Sequence, residues 1–212
     1  MRLITCGVLA LVAVVGFIQP AAAAPVYLAL GDSITFGETD LQYIPSFGDR
    51  GYVGRYADTL GASTGVRPNV INLAIDGETT SSFMTGVGRT TPVIGRTDPI
   101  LAAQNLNYSS NPLTPQLTLL QSTVAAQQSA GNTINTVSIT QGFNDVAALA
   151  SLPTSTALAR LDSTLATVRT NYSSILTEVR RLLPNANLFV LNYYNPFPAD
   201  PGNPAGPIFA AG

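Results

Sequence analysis

The stretch that decides the fold is VYLALGDSITFGET, residues 26–39. Its first five residues form an apolar run typical of a buried strand, which ends abruptly at Gly31, Asp32 and Ser33. Such an ending indicates either a helix cap or turn, or a serine that carries chemistry. The second possibility raises a difficulty, because the 212 residues include no histidine that could take a proton from Ser33.

The N-terminus has the order of features of a secretory signal peptide. Arg2 gives a positive start, an apolar run follows over residues 3–18, and small residues lead to Ala24. We expect residues 1–24 to be the signal peptide, with cleavage near Ala24 and a secreted or periplasmic product. The apolar run is shorter than the ~20 residues that span a bilayer, so we expect no membrane span after cleavage. The single cysteine, Cys6, leaves with the signal, which excludes a disulfide framework.

The composition favours one neutral globular domain over residues 25–212. Hydrophobic residues make up 46% of the sequence and can fill one core, whereas charged residues make up 10% and the net charge is −2. Every cation is an arginine, and the sequence contains no basic stripe that would bind nucleic acid or anionic lipid. We therefore expect small or neutral partners and no nucleic acid.

Short apolar runs alternate with amphipathic stretches after residue 25, which predicts an α/β fold with a parallel sheet. The predicted strands are residues 26–30, 70–73, 136–140 and 187–191. The predicted helices are residues 51–60, a helix that Pro115 opens as its first residue and that runs to 128, and a long helix that Ser155 or Thr156 caps and Pro184 ends.

The long helix carries one continuous apolar stripe at three- and four-residue steps. Its members are Leu158, Leu161, Leu165, Val168, Tyr172, Ile175, Val179 and Leu182. Residues 86–115 show no period and are rich in Gly, Pro, Thr and Asn, so we expect an irregular excursion there. We find no internal repeat and no second domain.

Polar clusters follow three of the four predicted strands. They are Asp32 with Ser33, residues 76–79, and Asn144 with Asp145. Each cluster alone has an ordinary interpretation as a cap or, for Asp-Gly at 76–77, as a turn. Because parallel strands place their carboxyl ends at one edge of a sheet, where ligands bind, the clusters together predict a functional site.

Three segments carry a resemblance to a known family: GDSIT at 31–35, NLAIDGET at 72–79 and ITQGFND at 139–145. They resemble the first three signature blocks of the GDSL (SGNH) esterase/lipase family, in the family's order. FVLNYYNPFP at 189–198 is similar to that family's fourth strand and the loop beyond it. The resemblance implies a flavodoxin-like three-layer sandwich with a parallel sheet and hydrolysis of carboxylic esters through a serine acyl-enzyme, without cofactor or metal.

The resemblance also implies roles for individual residues. Ser33 would be the nucleophile, and the oxyanion hole would consist of the backbone N–H groups of Ser33 and Gly77 and the side-chain amide of Asn144. Fixed donors of this kind stabilise the charge that acyl transfer builds on the carbonyl oxygen. Asp32 has no catalytic role in the family pattern, and we expect it to brace the loop by accepting backbone N–H bonds. Asp145 is expected to support the site beside Asn144.

The family's fourth block, Asp-x-x-His near the C-terminus, is absent from the sequence. A serine hydroxyl is a poor nucleophile without a base, so we expect the chain as written to be nearly inactive. We interpret residues 25–212 as a C-terminally incomplete esterase domain that lacks the family's fifth strand and final helix. That loss would leave Leu188 and Val190 on an open apolar sheet edge. An in-frame Asp-x-x-His beyond codon 212 would support this interpretation.

Two other functions stay open at this point. One is a secreted binding protein that keeps the same pocket for an acyl or sugar ligand. The other is metal-assisted phosphate chemistry with Asp32, Asp76 and Asp145 as ligands. For the esterase, the substrate would be a small-molecule, lipid or carbohydrate ester, and its chain length would depend on the loops at 36–50 and 86–115. The sequence leaves the ester and the oligomeric state open.

Overall fold

The sheet is built around its first strand. β1 (Pro25–Gly31) is buried from its second residue onward and pairs in parallel with β2 (Asn69–Asn72) on one side and β3 (Thr133–Thr140) on the other. β4 (Asn187–Val190) pairs in parallel with β3, which gives the strand order β2-β1-β3-β4. The predicted α/β fold with a parallel sheet is therefore confirmed.

This architecture comes from a computed structural model, in which residues 24–37, 51–88 and 114–193 are described. Its helices are α1 (Ser33–Phe36), α2 (Gly51–Thr64), α3 (Thr80–Thr85), α4 (Gln116–Ser129), α5 (Phe143–Ala147) and α6 (Thr154–Leu182), and a 3-10 turn (Ala148–Ser151) follows α5. The predicted signal peptide up to residue 23, residues 38–50 and 89–113 of the two predicted loops, and residues 194–212 lie outside the described residues.

Side chains of β1 alternate between two cores, as the two-residue period of a strand requires. Val26, Leu28 and Leu30 belong to a cluster shared with α4 and α6. Tyr27 and Ala29 pack with α2 on the opposite face. All five are fully buried, and burying a leucine-sized side chain contributes about 1.5–3 kcal/mol. Helices thus cover both faces of the sheet, which confirms the three-layer sandwich.

The direction in which the chain adds strands to the sheet reverses next to β1. The chain passes from β1 through α2 to β2 on one side, then returns through α4 to β3 on the other side. In open α/β sheets, ligands bind beyond the carboxyl ends of the strands where this reversal occurs. The reversal falls between β1 and β3, whose last residues, Gly31 and Thr140, are paired in the ladder.

Two helices begin differently from the prediction. Pro115 is the N-cap of α4 rather than its first residue, with an extended ψ of 139°. The N-cap of α6 is Pro153, which makes no side-chain capping bond, so neither Ser155 nor Thr156 caps this helix. In both helices the proline carbonyl accepts the first helical hydrogen bonds. The predicted positions were wrong because a proline just before a helix can start it through its carbonyl alone.

The apolar stripe of α6 is buried in part. Leu161, Ile175 and Val179 are buried, whereas Leu158 is 45% exposed. The first turns of α6 pack against the 3-10 turn through a small separate cluster, which covers Ala157 and Leu161 but leaves Leu158 outside. The prediction of a continuous core-facing stripe is therefore wrong at Leu158.

The outer strand β4 presents apolar side chains at its edge. Within the described residues it pairs with β3 alone, and Phe189 and Val190 are 41% and 45% exposed. The expectation that Val190 is exposed on β4 is confirmed. It is wrong for Leu188, which packs against the cluster shared with α4 and α6. Among the described residues, no helix is both long and apolar enough to cross a membrane.

The end of β1 has no room for a side chain. Gly31 has φ = +136°, and a Cβ at this position would lie 2.2 Å from the carbonyl oxygen of Thr140. The chain can therefore turn from β1 into α1 only with glycine at this point.

We expect Gly31→Ala to destabilise the fold by about 2–5 kcal/mol, because the overpacking cost of the methyl group, about 1–3 kcal/mol, adds to the ~1–2 kcal/mol that a side chain costs at positive φ. Urea unfolding of the purified protein measures the effect. Gly131→Ala is the matched control, since Gly131 also has a positive φ, +74°, but open space around it, and it should cost about 1–2 kcal/mol. Equal losses for the two variants would contradict the close approach.

Candidate active site

Ser33 lies at the turn that follows β1. It is the first residue of α1, and Asp32 is the N-cap, whose carboxylate accepts the N–H of Ile34 at 3.2 Å. Ser33 is half-buried. The simple alternative, in which the Ser33 hydroxyl serves as the helix cap, is therefore wrong, because Asp32 supplies the cap.

Asp32 is fully buried beneath this turn. Its second carboxylate oxygen accepts a hydrogen bond from the hydroxyl of Tyr193, just after β4. Burial raises the pKa of the Asp32 carboxyl to about 7, although the bonds from Tyr193 and Ile34 act in the opposite direction. The expected bracing through a backbone N–H is confirmed at Ile34, and the contact with Tyr193 adds a second anchor. The ring of Tyr193 also packs on Phe143 at 5.4 Å between centroids.

The short helix α1 is held from three sides. The buried Thr35 hydroxyl hydrogen-bonds to the hydroxyl of Tyr52 on α2 at 3.0 Å and to that of Thr140 at the end of β3. The side-chain amide of Asn72 donates to the carbonyl of Thr35 at 2.8 Å, and its oxygen accepts the N–H of Ala74 at 3.0 Å. These contacts fix the helix that begins with Ser33 relative to β2, β3 and α2.

Gly77 lies in the turn that follows β2. It is buried and has φ = +69°, in the left-handed region. The interpretation of Asp76 and Gly77 as an Asp-Gly turn thus describes the local backbone correctly. The segment before this turn lies against β1, because the N–H of Ile75 donates to the carbonyl of Gly31 at 3.0 Å.

Asn144 lies against the segment that carries Gly77. Its side-chain amide donates to the carbonyl of Glu78 at 3.0 Å, and that of Gln141 donates to the same oxygen at 3.1 Å. Asn144 is 9% exposed. The N-cap of α5 is Gly142, with no side-chain capping bond, so the alternative in which Asn144 caps its own helix is wrong.

Asp145 points to a different helix. Its carboxylate accepts the backbone N–H of Thr80 at 2.8 Å and the hydroxyl of Thr80 at 2.7 Å. Thr80 is the first residue of α3, and a first-turn N–H has no partner within its own helix. Burial raises the pKa of the Asp145 carboxyl, against these two hydrogen bonds. Asp145, next to Asn144 in the sequence, thus joins α5 to α3.

Two buried side chains that the sequence analysis missed connect these segments. Gln116, the first residue of α4, bonds to both Gly31 and Glu78. Glu78 in turn accepts from Asn144 through its carbonyl. Glu78 adjoins Gly77, so its place in the motif could have drawn attention to it. No local pattern around Gln116 indicates a contact with residues 85 positions earlier.

The described residues offer no carboxylate cluster for a metal. Within residues 24–37, 51–88 and 114–193, no group of three or more His, Cys, Asp or Glu side chains is arranged to hold a metal ion. Asp32 and Asp145 are engaged with Ile34 and Thr80 instead. The alternative in which Asp32, Asp76 and Asp145 form one metal site is therefore wrong.

A doubly wound parallel sheet, with polar segments gathered beyond the ends of β1, β2 and β3, defines an α/β protein with one candidate site at its topological switch point. The chain belongs to the GDSL-like lipase/acylhydrolase family, whose sequence pattern matches residues 29–209. The resemblance of the three sequence segments to this family is thereby confirmed.

The chain is similar to solved structures of esterases and lipases. An extracellular lipase from Streptomyces rimosus is 22% identical, with a TM-score of 0.50, over 89% of this chain and 69% of that one. A phospholipase A1 from Streptomyces albidoflavus is 19% identical, with a TM-score of 0.44, over 89% and 70%. A mutant of the esterase AlinE4 is 19% identical, with a TM-score of 0.43, over 84% of this chain and 63% of that one. This chain thus spans less than two thirds of AlinE4. A comparison with curated proteins found no match.

The raised pKa of Asp32 predicts a pH dependence of stability. In the folded protein this carboxyl keeps its proton up to about pH 7, whereas its ordinary pKa is 3.8. A folded state that binds more protons than the unfolded chain loses stability as the pH rises. We therefore expect the free energy of unfolding to fall between about pH 4 and pH 7 and to level off above that range.

Urea unfolding from pH 4 to pH 8, compared with Asp32→Asn, isolates this contribution. The variant cannot titrate at position 32, so its free energy of unfolding should fall less steeply with pH. The raised pKa of Asp145 acts in the same direction in both proteins and cancels in the comparison. Parallel pH profiles for the two proteins would contradict the assignment.

Proposed function

We propose that this chain is a secreted serine hydrolase that cleaves carboxylic esters through an acyl-enzyme, with Ser33 as the nucleophile. In this proposal residues 1–24 are the signal peptide and residues 25–212 the hydrolase domain. One observation carries the proposal. The Asn144 amide donates a hydrogen bond at 3.0 Å to the carbonyl of Glu78, the residue after Gly77. This contact lies at the edge of the sheet where the chain passes from β1 to Ser33. Membership of the GDSL-like lipase/acylhydrolase family supports it.

In the proposed reaction, Ser33 Oγ attacks the carbonyl carbon of the ester while its proton passes to a water molecule. The carbonyl electron pair moves onto oxygen, and the resulting oxyanion accepts hydrogen bonds from three donors. The tetrahedral intermediate then expels the alcohol, which takes up the proton. Water repeats the sequence on the acyl-enzyme, releases the carboxylic acid and restores the Ser33 hydroxyl.

The three donors of the proposed oxyanion hole are the backbone N–H groups of Ser33 and Gly77 and the side-chain amide of Asn144. Ser33 is the first residue of α1, where an N–H has no partner within the helix. Gly77 has no Cβ to block the approach of a substrate. An amide group carries two N–H donors, so its bond to the Glu78 carbonyl leaves Asn144 a second one for the oxyanion.

The proposal assigns no general base. The printed sequence contains no histidine, and in a serine protease the loss of the histidine costs on the order of 10⁶ in turnover. Asp32 has a pKa of about 7, but its oxygens already accept from Ile34 and Tyr193, so we assign it a bracing role. The 212-residue polypeptide should therefore hydrolyse esters roughly 10³–10⁴-fold faster than water at most, the residual that an oxyanion hole and binding supply.

The alternative to an esterase is a protein of the same fold that binds without turnover. A secreted binding protein could use this pocket for an acyl or sugar ligand without turnover. For the esterase, the proposed substrate is a small-molecule, lipid or carbohydrate ester.

Covalent labelling tests the nucleophile directly. After long incubation with a fluorophosphonate, we expect the intact mass of the protein to increase by one phosphonyl group, which peptide mapping should place on Ser33. Ser33→Ala should remain unlabelled, whereas Ser63→Ala, on the exposed part of α2, should label like the wild type. Equal labelling of Ser33→Ala would exclude Ser33 as the nucleophile. An unlabelled wild type that binds a fatty acid saturably would favour the binding protein.

Replacement of Asn144 tests the oxyanion hole. We expect Asn144→Ala to slow phosphonylation of Ser33 by about 10²–10³-fold, the usual effect of losing one such donor. Asn132→Ala is the matched control, because Asn132 bonds to Gln127 at the end of α4, away from the site. Circular dichroism establishes that both variants are folded. An unchanged labelling rate in folded Asn144→Ala would remove this residue from the proposed site.

A further inference from the structure

One buried side chain joins the turn before Ser33 to the turn that carries Gly77. Gln116 is fully buried, and its amide makes three hydrogen bonds. Its oxygen accepts the N–H of Gly31 at 2.7 Å, and its nitrogen donates to the carbonyl of Gly31 at 2.9 Å and to a carboxylate oxygen of Glu78 at 3.1 Å. Both donors of the amide group are thus used, and Gln116 contacts two segments far apart in the sequence.

Glu78 is the second part of this connection. It is fully buried, and its carboxylate accepts from Gln116 on one oxygen and from the hydroxyl of Ser82 on the other. Its backbone carbonyl accepts from Asn144 and Gln141. Burying a carboxylate is costly unless it is well hydrogen-bonded. The desolvation of Glu78 therefore costs stability next to Gly77. An apolar side chain at position 78 would avoid that cost but would make none of these hydrogen bonds.

We propose that Gln116 and Glu78 act as positioning residues that set the distance between Ser33 and its oxyanion donors. Gln116 fixes the backbone two residues before Ser33 and bonds to the carboxylate of Glu78, the residue after Gly77, whose backbone carbonyl holds the amide of Asn144. This inference rests on the proposed function, in which Ser33, Gly77 and Asn144 act on one acyl group.

The hydrogen bonds of Gln116 to Gly31 and Glu78 form a brace, and other contacts hold its Gly31 end. Gly31 is paired with Thr140 in the ladder between β1 and β3, and its carbonyl also accepts the N–H of Ile75 at 3.0 Å. A neutral amide at position 116 offers an acceptor to the Gly31 N–H and donors to Gly31 and Glu78 at once. A carboxylate there would lack the donors and would face the Glu78 carboxylate.

The experiment compares Gln116→Glu, Glu78→Gln and the double variant E78Q/Q116E in the full chain. Gln116→Glu should slow phosphonylation of Ser33 between about 10-fold and about 100-fold, since a displacement of the order of 1 Å can cost that much. The double variant restores one amide–carboxylate hydrogen bond in the opposite direction, so it should recover part of the rate. Gln128→Glu, on the exposed end of α4, is the matched control and should label at the wild-type rate.

Hydrogen–deuterium exchange provides a second readout that does not depend on the reactivity of Ser33. In Gln116→Glu, exchange should rise together in residues 29–37 and 72–83, and the double variant should reverse part of the increase. A rise confined to α4 would overturn the brace.

The outcomes separate this inference from the proposed function. If the wild type is labelled at Ser33 but folded Gln116→Glu labels equally fast, the positioning role is wrong and the nucleophile stands. The rate expected for independent residues is the wild-type labelling rate reduced by the factors of both single variants. If the double variant labels no faster than that rate, Gln116 and Glu78 do not act as a pair. If the wild type is not labelled at Ser33, the proposed nucleophile and the positioning role both fail, and the exchange data alone decide whether the brace exists.

Discussion

The close approach of Gly31 to the carbonyl oxygen of Thr140 is the constraint on which the arrangement of the site depends. β1 ends at this glycine, at the point where the order of the strands reverses, and Asp32 caps α1 while Ser33 begins it. The amide of Gln116 bonds to both backbone groups of Gly31. The turns after β1 and β2 are thereby fixed relative to each other.

The site is unusual in how many polar groups it buries at the ends of apolar strands. Asp32, Glu78 and Gln116 are fully buried, and Asn144 nearly so. Each of them makes hydrogen bonds to backbone groups or to other buried side chains, as buried polar groups must to avoid a large desolvation penalty. The raised pKa of Asp32 shows that hydrogen bonding offsets this penalty only in part. The buried polar groups thus lower the free energy of unfolding at the edge of the sheet where the candidate active site lies.

Much of the fold could be predicted from the sequence because it depends on local patterns. The apolar run of β1 and the long periodic helix α6 indicate their own structures, and parallel pairing then gathers the clusters at one edge. The contacts of Gln116 with Gly31 and of Tyr193 with Asp32 could not be predicted. Each joins residues far apart in the chain, and the sequence around Gln116 and Tyr193 contains no motif that indicates the contact. The exposure of Leu158 depends on tertiary packing, whereas the start of α6 depends on the carbonyl of Pro153. The roles of Ser33, Gly77 and Asn144 came from a family resemblance, which residue patterns alone do not supply.

A crystal structure of the protein after reaction with a phosphonate ester tests the central claim most directly. The account predicts a phosphorus atom bonded to Ser33 Oγ, with a phosphonyl oxygen about 2.7–3.1 Å from the backbone nitrogens of Ser33 and Gly77 and from Nδ2 of Asn144. A phosphonyl group on another residue would contradict it. So would one on Ser33 whose oxygens point away from both Gly77 and Asn144.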